Sequence, residues 1–145
     1  MIDSTKISCT VASTDYQCPL GMEVWLDSQQ LFNSDHVAES MDLEWPIVDD
    51  EAEHELRFVM KNKTIDHTQV DAQGTITQDA RLIVQNVCFD EIALGQLFID
   101  HTEYTHDFNG TQPMTTVKFY GEMGCNGTVS LKFRTPIYLW LLENM

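Results

Sequence analysis

The sequence has few basic residues and lacks the short motifs that mark most catalytic sites. It has eight Lys and Arg against 23 Asp and Glu, which gives a formal net charge of −15. Nucleic-acid binding rests on Lys and Arg that displace counterions from phosphates, so this composition argues against a nucleic-acid partner. The sequence also has no phosphate-binding loop, nucleophile elbow or HExxH motif. We therefore predict that the protein is not an enzyme.

Long apolar runs are missing as well. No stretch approaches the roughly 18 uninterrupted apolar residues that a membrane-crossing helix needs, so no membrane partner is expected. The polar start MIDSTKISCT lacks the basic and apolar regions of a signal peptide, and we expect synthesis without export. The cysteines form no CxxC pair and are expected to be free thiols rather than zinc ligands or disulfides. They are Cys9, Cys18, Cys88 and Cys125.

What the sequence does contain is the period-two alternation of β-strands. With 145 residues, 43% of them hydrophobic, the chain can form one domain with a substantial core, and we predict a single domain over 1–145. Apolar residues alternate with polar ones in several short segments, which indicates half-buried strands. Two examples are Ile7, Cys9, Val11 and Leu56, Phe58, Met60. We predict an all-β fold, a two-sheet β-sandwich or jelly roll of eight or nine strands.

Some segments allow more specific predictions. A hairpin is expected to turn at 27–29, and Pro46 is expected to end the strand that starts at Met41. The segment 62–74 has no clean pattern and should be a long loop. By contrast, 81–89 is apolar on both parities, which is typical of a central strand covered on both faces.

The C-terminal third is predicted to hold two longer strands and a hairpin. The strands are expected at 96–108 and 116–123. A three-residue loop at 125–127, with Gly127 left-handed, would then place Met123 opposite Val129 and keep the apolar residues of both strands on one face.

The final segment TPIYLWLLENM leaves no polar face. Thr135 is expected to cap a short apolar helix or turn, with Pro136 at its first position. The apolar side chains that follow must be covered, either by the sandwich itself or by docking onto a neighbouring subunit. The docking candidates are Tyr138, Trp140, Leu141 and Leu142.

The stretch HDFNGTQP, 106–113, holds an imidazole, a carboxylate and amides close together. In an extended strand, His106 points to the same side as Tyr104 and is expected at the edge of the core, whereas Asp107 points to the other side. Asn109 and the glycine after it form a typical turn pair. Asp107 and Asn109 can reach a partner from a loop tip, although a simple turn also explains the segment.

Residues 7–92 resemble a known family in the order of their strands. The segments ISCTV, GMEVWLDSQQL, HELRFVMKNKT and DARLIVQNVCFDEI look like the calcium-dependent xylan-binding type of carbohydrate-binding module, a β-sandwich. The resemblance implies Asp79 of DARL as a calcium ligand, with Asn62 of KNKT beside the site. Lys63 stands where that family has an acidic residue, and its charge opposes calcium.

A second resemblance covers more of the chain. HELRFVMKNKT, YTHDFNGT, FYGEMGCNGTVSLKF and TPIYLWLLENM are together similar to small uncharacterised proteins encoded by marine tailed bacteriophages. That similarity implies a virion structural or accessory protein, such as a capsid decoration or a tail component. Its partners would be other virion proteins or copies of itself, assembled in the host cytoplasm.

Two hypotheses follow. The first is the virion protein, which would dock through its C-terminal apolar residues or through an open sheet edge. The alternative is a glycan-binding module for a surface polysaccharide, with no cofactor or with calcium. Its sugar-stacking rings would be Trp25, Tyr16 and Tyr104. Polar contacts would come from loops that carry Asn62, Asp71 and Asp79. Asp107 and Asn109 would contact the glycan or another partner.

Overall fold

The computed structural model describes residues 4–14, 20–37, 40–63, 68–70, 72–74, 76–107, 110 and 112–144. Within these residues the chain forms 13 strands and two short helices. In chain order they are β1 (Ser4–Ser13), β2 (Gly21–Leu26), β3 (Gln29–Ser34), β4 (Met41–Val48), β5 (Glu53–Lys61), β6 (Thr68–Val70), β7 (Ile76–Asp79), β8 (Leu82–Phe89), β9 (Ile92–Ala93), α1 (Gln96–His101), β10 (Thr102–His106), β11 (Thr115–Lys118), β12 (Glu122–Met123), β13 (Gly127–Arg134) and α2 (Ile137–Asn144).

Eleven strands form two antiparallel sheets that enclose one core. The five-stranded sheet has the order β12-β8-β1-β4, with β9 also paired to β8, and the six-stranded sheet has the order β11-β10-β13-β5-β2-β3. β6 and β7 form a separate two-stranded sheet. The predicted two-sheet sandwich with a short C-terminal helix is confirmed. The two sheets hold more strands than the predicted eight or nine mainly because β9 and β12, with two residues each, are too short to show an alternating pattern in the sequence.

The core is closed at one end by α2. The ring of Phe89 in β8 lies 5.1 Å from that of Phe133 in β13, and the ring of Trp140 in α2 lies 5.8 Å from Phe89. Ile137 and Leu141 are buried beside Trp140. Burial of such a side chain contributes roughly 1.5–3 kcal/mol. The C-terminal segment therefore covers its own sandwich with one side of its helix. No helix among the described residues is long and apolar enough to cross a membrane.

A β-bulge explains why 81–89 is apolar on both parities. Asn86 has a φ of 55°, and the pairing of β8 with β1 shifts register next to it. The extra residue changes which parity faces the core. The buried residues on the two sides of the bulge are Leu82, Val84, Val87 and Phe89. The prediction of a strand covered on both faces is therefore wrong, since only one face of β8 is the core.

A helix replaces the first half of the strand predicted at 96–108. Gly95 has φ 54° and ψ −122°, a conformation that favours glycine and turns the chain into α1. From α1 the ring of Phe98 fills the space between the sheets, 6.4 Å from Phe58 and 5.9 Å from Phe119. The hydroxyl of Thr102 donates to the carbonyl of Phe98 at 2.5 Å where the helix ends. Filling of the core thus outweighs the local strand pattern.

The chain crosses from one sheet to the other inside the strand predicted at 116–123. β11 belongs to the six-stranded sheet and β12 to the five-stranded sheet. Between them, Phe119 is fully buried and Gly121 has a φ of 106°. The hairpin predicted at 125–127 is also wrong, because β13 pairs with β10 and β5 rather than with β12. Gly127 does not have a positive φ.

Three smaller predictions have mixed outcomes. The hairpin at 27–29 is confirmed, because β2 and β3 meet in a two-residue turn after which Leu26 pairs with Gln29. The prediction that Pro46 ends its strand is wrong. β4 continues through Pro46, which pairs with Lys6, because β4 is an edge strand and an edge strand tolerates a proline. The loop predicted at 62–74 contains β6, which pairs with β7.

Thr135 does not cap α2 as predicted. Its hydroxyl donates to Asp50 Oδ1 at 2.8 Å instead. The carbonyl of Pro136 accepts the first helical N–H groups, so Pro136 lies one position before the helix proper.

The cysteines within the described residues are free, as predicted. They are Cys9, Cys88 and Cys125, and Cys18 lies outside the described residues. Burial raises the pKa of the Cys9 thiol to about 12, so Cys9 is a packing residue rather than a reactive thiol.

Gly127 is expected to be essential for the pairing of β13 with β10. A Cβ atom at this position would lie 2.4 Å from the Thr105 carbonyl oxygen, so Gly127→Ala must move backbone. We expect the free energy of unfolding, measured by urea denaturation, to fall by about 1–3 kcal/mol. Gly124→Ala is the control, because its Cβ would meet nothing nearer than Arg81 Cγ at 4.0 Å. Equal losses in the two variants would contradict this pairing.

Candidate functional site

The six-stranded sheet turns one face to solvent. Because side chains alternate along a strand, the register that buries Leu56 and Phe58 of β5 turns Glu55 and Arg57 outward. Cross-strand pairing then brings one side chain from each strand into a single row. From β3 to β11 the row is Gln30, Trp25, Arg57, Ser130, Glu103 and Lys118. Six strands make it roughly 24 Å long. We call this row, with the adjacent Glu23 and Glu55, the outer face.

Trp25 is held in place on the outer face by its neighbours. Its indole N–H donates to Glu23 Oε1 at 3.1 Å, and the amide of Gln30 donates to the same oxygen at 2.7 Å. The guanidinium carbon of Arg57 lies 5.6 Å from the indole centroid, which is a cation–π distance. Trp25 is a half-buried ring, fixed among hydrogen-bonding groups and able to contact a ligand with a flat apolar side.

Arg57 links Trp25 to the centre of the sheet. Its Nη2 donates to the backbone carbonyl of Asp27 at 2.7 Å, and its Nε lies 3.6 Å from Glu55 Oε1. The other oxygen of Glu55 accepts a 2.6 Å hydrogen bond from Ser130. Arg57 and Glu55 are each about one-third exposed, at 33% and 37%, so this network adds little to stability. The network does, however, fix the positions of these polar side chains before any ligand binds.

A cleft of about 510 Å³ lies beside the outer face, at the end of the sandwich that α2 closes. Its volume is in the range of small-molecule sites. Acidic residues from three parts of the chain line it, including Asp27 of the β2–β3 turn, Glu53 of β5 and Glu143 of α2. Lys132 of β13 also lines it. We call this space the α2 cleft.

His54 lines the α2 cleft between two carboxylates. Its Nδ1 lies 2.6 Å from Asp27 Oδ2, and its Nε2 lies 2.8 Å from Asp50 Oδ1. A neutral imidazole carries one N–H, so two such contacts require the imidazolium form. Burial lowers the pKa of His54, but the bonds to Asp27 and Asp50 outweigh it and the net pKa is raised. The bond from His54, followed by that from Thr135, lowers the pKa of Asp50 to about 2.

The fold is similar to that of a carbohydrate-binding module. A solved structure described as "vCBM60 in complex with galactobiose" superposes with a TM-score of 0.52, over 87% of this chain and 96% of that one, at 12% sequence identity. At this identity the likeness shows a shared β-sandwich fold. No family model matches the sequence, and no curated protein matches it. The predicted resemblance to carbohydrate-binding modules is thus supported at the level of fold, and the comparisons give no support to the phage resemblance.

Tyr104 and Asp107, which were both predicted to contact a glycan or partner, do not belong to the outer face. Tyr104 is 6% exposed, and its hydroxyl donates to the Cys125 carbonyl and accepts from the Cys125 N–H at 2.9 Å. Burial raises its pKa to about 12. A ring in this position cannot stack on a sugar, which corrects the prediction for Tyr104. His106 is buried beside it, with ring centroids 4.6 Å apart, as strand parity predicts.

Asp107 lies in a turn at the opposite end of the sandwich from α2. Its Oδ1 accepts from the Gly110 N–H at 2.9 Å, and its carbonyl accepts from Gln112 at 3.1 Å. These bonds are those of the predicted turn. Asn109 lies outside the described residues, as do Tyr16 and Asp71.

The predicted calcium position is next to a buried cation. Asn62 is exposed with a φ of 71°, and Asp79 ends β7. Lys63 is only 5% exposed, and its ammonium donates to the Gly124 carbonyl at 2.6 Å. The side chain of Asn126 also bonds both backbone groups of Lys63, each at 2.9 Å. Among the residues with described positions, no group of three or more His, Cys, Asp or Glu is placed to hold a metal ion.

The predicted docking residues divide into two sets. Trp140 and Leu141 are 8% and 4% exposed and belong to the core, which removes them from any docking surface. Tyr138 and Leu142 are 48% and 72% exposed. Leu139, which the sequence prediction did not include, is 51% exposed. The exposed apolar side of α2 therefore consists of Tyr138, Leu139 and Leu142.

Sequence reasoning identified Trp25 but not the side chains around it. The alternation in β5 does indicate that Glu55 and Arg57 share a face, and the same holds for Glu23 and Trp25 in β2. What it does not reveal is that β13, β5 and β2 are neighbours in one sheet. That order depends on contacts between distant segments, and it is the order that assembles the outer face.

Lys63 is expected to stabilise the loops opposite α2. Lys63→Met removes the donor of the Gly124 carbonyl and should lower the free energy of unfolding by about 1–3 kcal/mol in urea denaturation. Lys132→Met, at an exposed position of β13, is the control and should change it by less than about 0.5 kcal/mol. A loss at Lys63 no larger than at Lys132 would show that the buried ammonium does not hold these loops together.

Proposed function

We propose that this protein is a non-catalytic glycan-binding protein that binds a polysaccharide on its outer face. The observation that carries the proposal is the fixed, half-buried ring of Trp25 within a solvent-facing row of hydrogen-bonding side chains. The similarity of the fold to a module whose structure contains galactobiose supports the same class of function.

The outer face offers the two kinds of contact that a sugar ring needs. A pyranose has an apolar face of C–H groups, which can pack on the indole of Trp25. Its hydroxyl groups can donate to the carboxylates of Glu23 and Glu55 and accept from Arg57 or Gln30, and hydrogen bonds to charged groups are the stronger ones. The row crosses all six strands, over roughly 24 Å, so its length suits a chain of sugars better than a single one.

The charge of the protein favours an uncharged polysaccharide. The net charge of −15 repels uronate and sulfate groups. Two cations near Trp25 are already paired: Arg57 contacts Glu55, and Lys61 lies 3.5 Å from Glu23 and 3.3 Å from Asp35. We therefore expect neutral glycans to bind and acidic ones to bind weakly.

Calorimetry with a panel of neutral and acidic polysaccharides tests the proposal. We expect at least one neutral polysaccharide to bind, and Trp25→Ala to weaken its affinity by about tenfold or more, which corresponds to about 1.4 kcal/mol of lost ring contact. Tyr138→Ala is the matched control, because Tyr138 is a 48% exposed aromatic of α2 that bonds Asp90, next to β8 of the other sheet, and is not part of the outer face. Its affinity should equal that of the unchanged protein.

Each contrary result has a defined meaning. No binding to any member of the panel contradicts the proposed function. An equal loss in the two variants contradicts the position of the site. Binding that requires calcium would move the site to the loops that carry Asn62 and Asp79, and repeating the titrations with a chelator tests this point.

A second candidate function is docking onto a larger assembly such as a phage virion. The exposed apolar side of α2, Tyr138, Leu139 and Leu142, favours it because several large apolar side chains on one short helix mark a contact surface. Localisation to the virion, with assembly in the host cytoplasm, belongs to this candidate. Mass spectrometry of purified phage particles should find the protein at a fixed number of copies per particle, and its absence from the particles would exclude this role.

A further inference from the structure

His54 connects the outer face to the end of the sandwich that α2 closes. Its ring lies between Asp27, in the turn from β2 to β3, and Asp50, in the loop from β4 to β5. We propose that protonated His54 is a pH-dependent clamp that holds the outer face in its binding arrangement, so that glycan affinity falls when His54 loses its proton. The regulatory part of this inference rests on the proposed glycan-binding function.

The geometry requires the proton. Both ring nitrogens of His54 lie within 2.8 Å of a carboxylate oxygen. When the imidazole is neutral, one nitrogen presents a lone pair to a negatively charged oxygen, and that contact becomes repulsive in either tautomer. The His54 side chain is only 12% exposed, whereas those of Asp27 and Asp50 are 47% and 45% exposed, so a released carboxylate can turn away from the ring into water. Loss of one proton therefore detaches His54 from either the β2–β3 turn or the β4–β5 loop.

Asp27 carries the effect to Trp25. Besides its contact with His54, the Asp27 carboxylate accepts from the Glu55 N–H at 2.9 Å. Its backbone carbonyl accepts from Arg57 at 2.7 Å, and Arg57 lies over the Trp25 ring. Asp27 has a φ of 53°, a conformation that is unfavourable for a residue with a side chain and that these bonds help to maintain. Release of the Asp27 carboxylate therefore loosens the turn that positions Arg57.

Asp50 carries the effect to the start of α2. It accepts from the Thr135 hydroxyl at 2.8 Å and from the Ala52 N–H at 3.2 Å. The imidazole of His54 also packs on Phe133, with ring centroids 5.7 Å apart. The clamp thus joins two loops, β5 and the segment before α2 at one point.

The charged groups around His54 favour its protonated form. Glu53 and Glu55 flank it on β5, and Lys132 and Arg134 of β13 and Glu143 of α2 line the same cleft. The carboxylates outnumber the cations, and the two nearest, Asp27 and Asp50, are in direct contact with the ring. The local field therefore adds to the effect of the two hydrogen bonds.

The direction of the pH dependence follows from these contacts. Burial lowers the pKa of His54, but the bonds to Asp27 and Asp50 raise it more, so the folded pKa lies above the ordinary value of 6.5. The stabilisation is complete below pH 6.5 and is lost as pH rises through the folded value. The Asp50 pKa is lowered to about 2 from 3.8, so its contribution is present above pH 3.8 and is lost as pH falls toward 2. The clamp is closed in mildly acidic solution and opens on the alkaline side.

The affinity test compares the protein at about pH 5.5 and about pH 9, on either side of the histidine range. With a polysaccharide that binds in calorimetry, we expect affinity to fall about fivefold or more at the higher pH, a typical size for coupling between sites. His54→Gln should bind weakly at both values. His36→Gln is the control, since His36 follows β3 at the opposite end of the sandwich, and it should keep the full pH dependence. Affinity that does not change with pH in the unchanged protein overturns the proposal.

Asp27→Asn provides a second variant that keeps the shape of the turn residue. The amide removes the charge nearest His54 Nδ1, so the pKa of His54 should fall and the midpoint of the affinity change should move to lower pH. A midpoint that does not move would contradict the role of Asp27.

A measurement without glycan separates failure of the clamp from failure of the proposed function. Fluorine NMR of protein labelled with 5-fluorotryptophan, with the Trp25 signal assigned by Trp25→Phe, should show the Trp25 signal shifting above pH 6.5. Nitrogen-15 NMR of the same protein with labelled histidine should show the His54 ring nitrogens titrating over the same pH range. The shift should persist in His36→Gln and vanish in His54→Gln. A Trp25 signal that does not follow His54 overturns the clamp whether or not a glycan binds. A signal that follows it, in a protein that binds no polysaccharide, supports the clamp and contradicts only the glycan function.

Discussion

The antiparallel register of β2, β5 and β13 is the constraint on which the rest of the structure depends. This register directs the side chains of Phe58 and its apolar neighbours toward the core. By the same alternation it makes Trp25, Arg57 and Ser130 neighbours on the solvent side. A slip of one residue would exchange the two faces and bury Arg57. The outer face is therefore held in place by the hydrophobic core beneath it.

The acidic composition has a specific role at the end of the sandwich near α2. Asp27 and Asp50 come from separate loops and meet on a single imidazolium, that of His54. Two carboxylates that would otherwise repel each other thereby hold two loops together. Because Asp27 also accepts from Arg57, the same contact reaches the candidate binding surface. Protein stability, the shape of the outer face and pH are linked through one side chain.

Local pattern was enough to predict the elements whose structure is decided locally. Alternation located β5, and the polar residues after Leu26 indicated the hairpin between β2 and β3. The features that sequence reasoning missed depend on distant partners. The helix at Phe98 exists because a gap between Phe58 and Phe119 accepts its ring, and the bulge at Asn86 changes a parity that the apolar pattern could not assign. For the same reason Trp25 was identified as a candidate while Arg57, its neighbour only through sheet order, was not. Tyr104 was a candidate for sugar stacking although strand parity placed it beside His106 at the edge of the core, because parity does not give the depth of burial.

The most direct test of the central claim is to locate a bound glycan on the isotopically labelled protein by NMR. A neutral oligosaccharide cut from a polysaccharide that binds in calorimetry is titrated into the protein, and backbone amide shifts are followed at about pH 5.5, within the acidic range where histidine carries its proton. The predicted result is a continuous set of shifts in β2, β5 and β13, centred on Trp25 and Arg57. Shifts confined to the loops around Asn62 and Asn126, at the opposite end of the sandwich, would contradict the account.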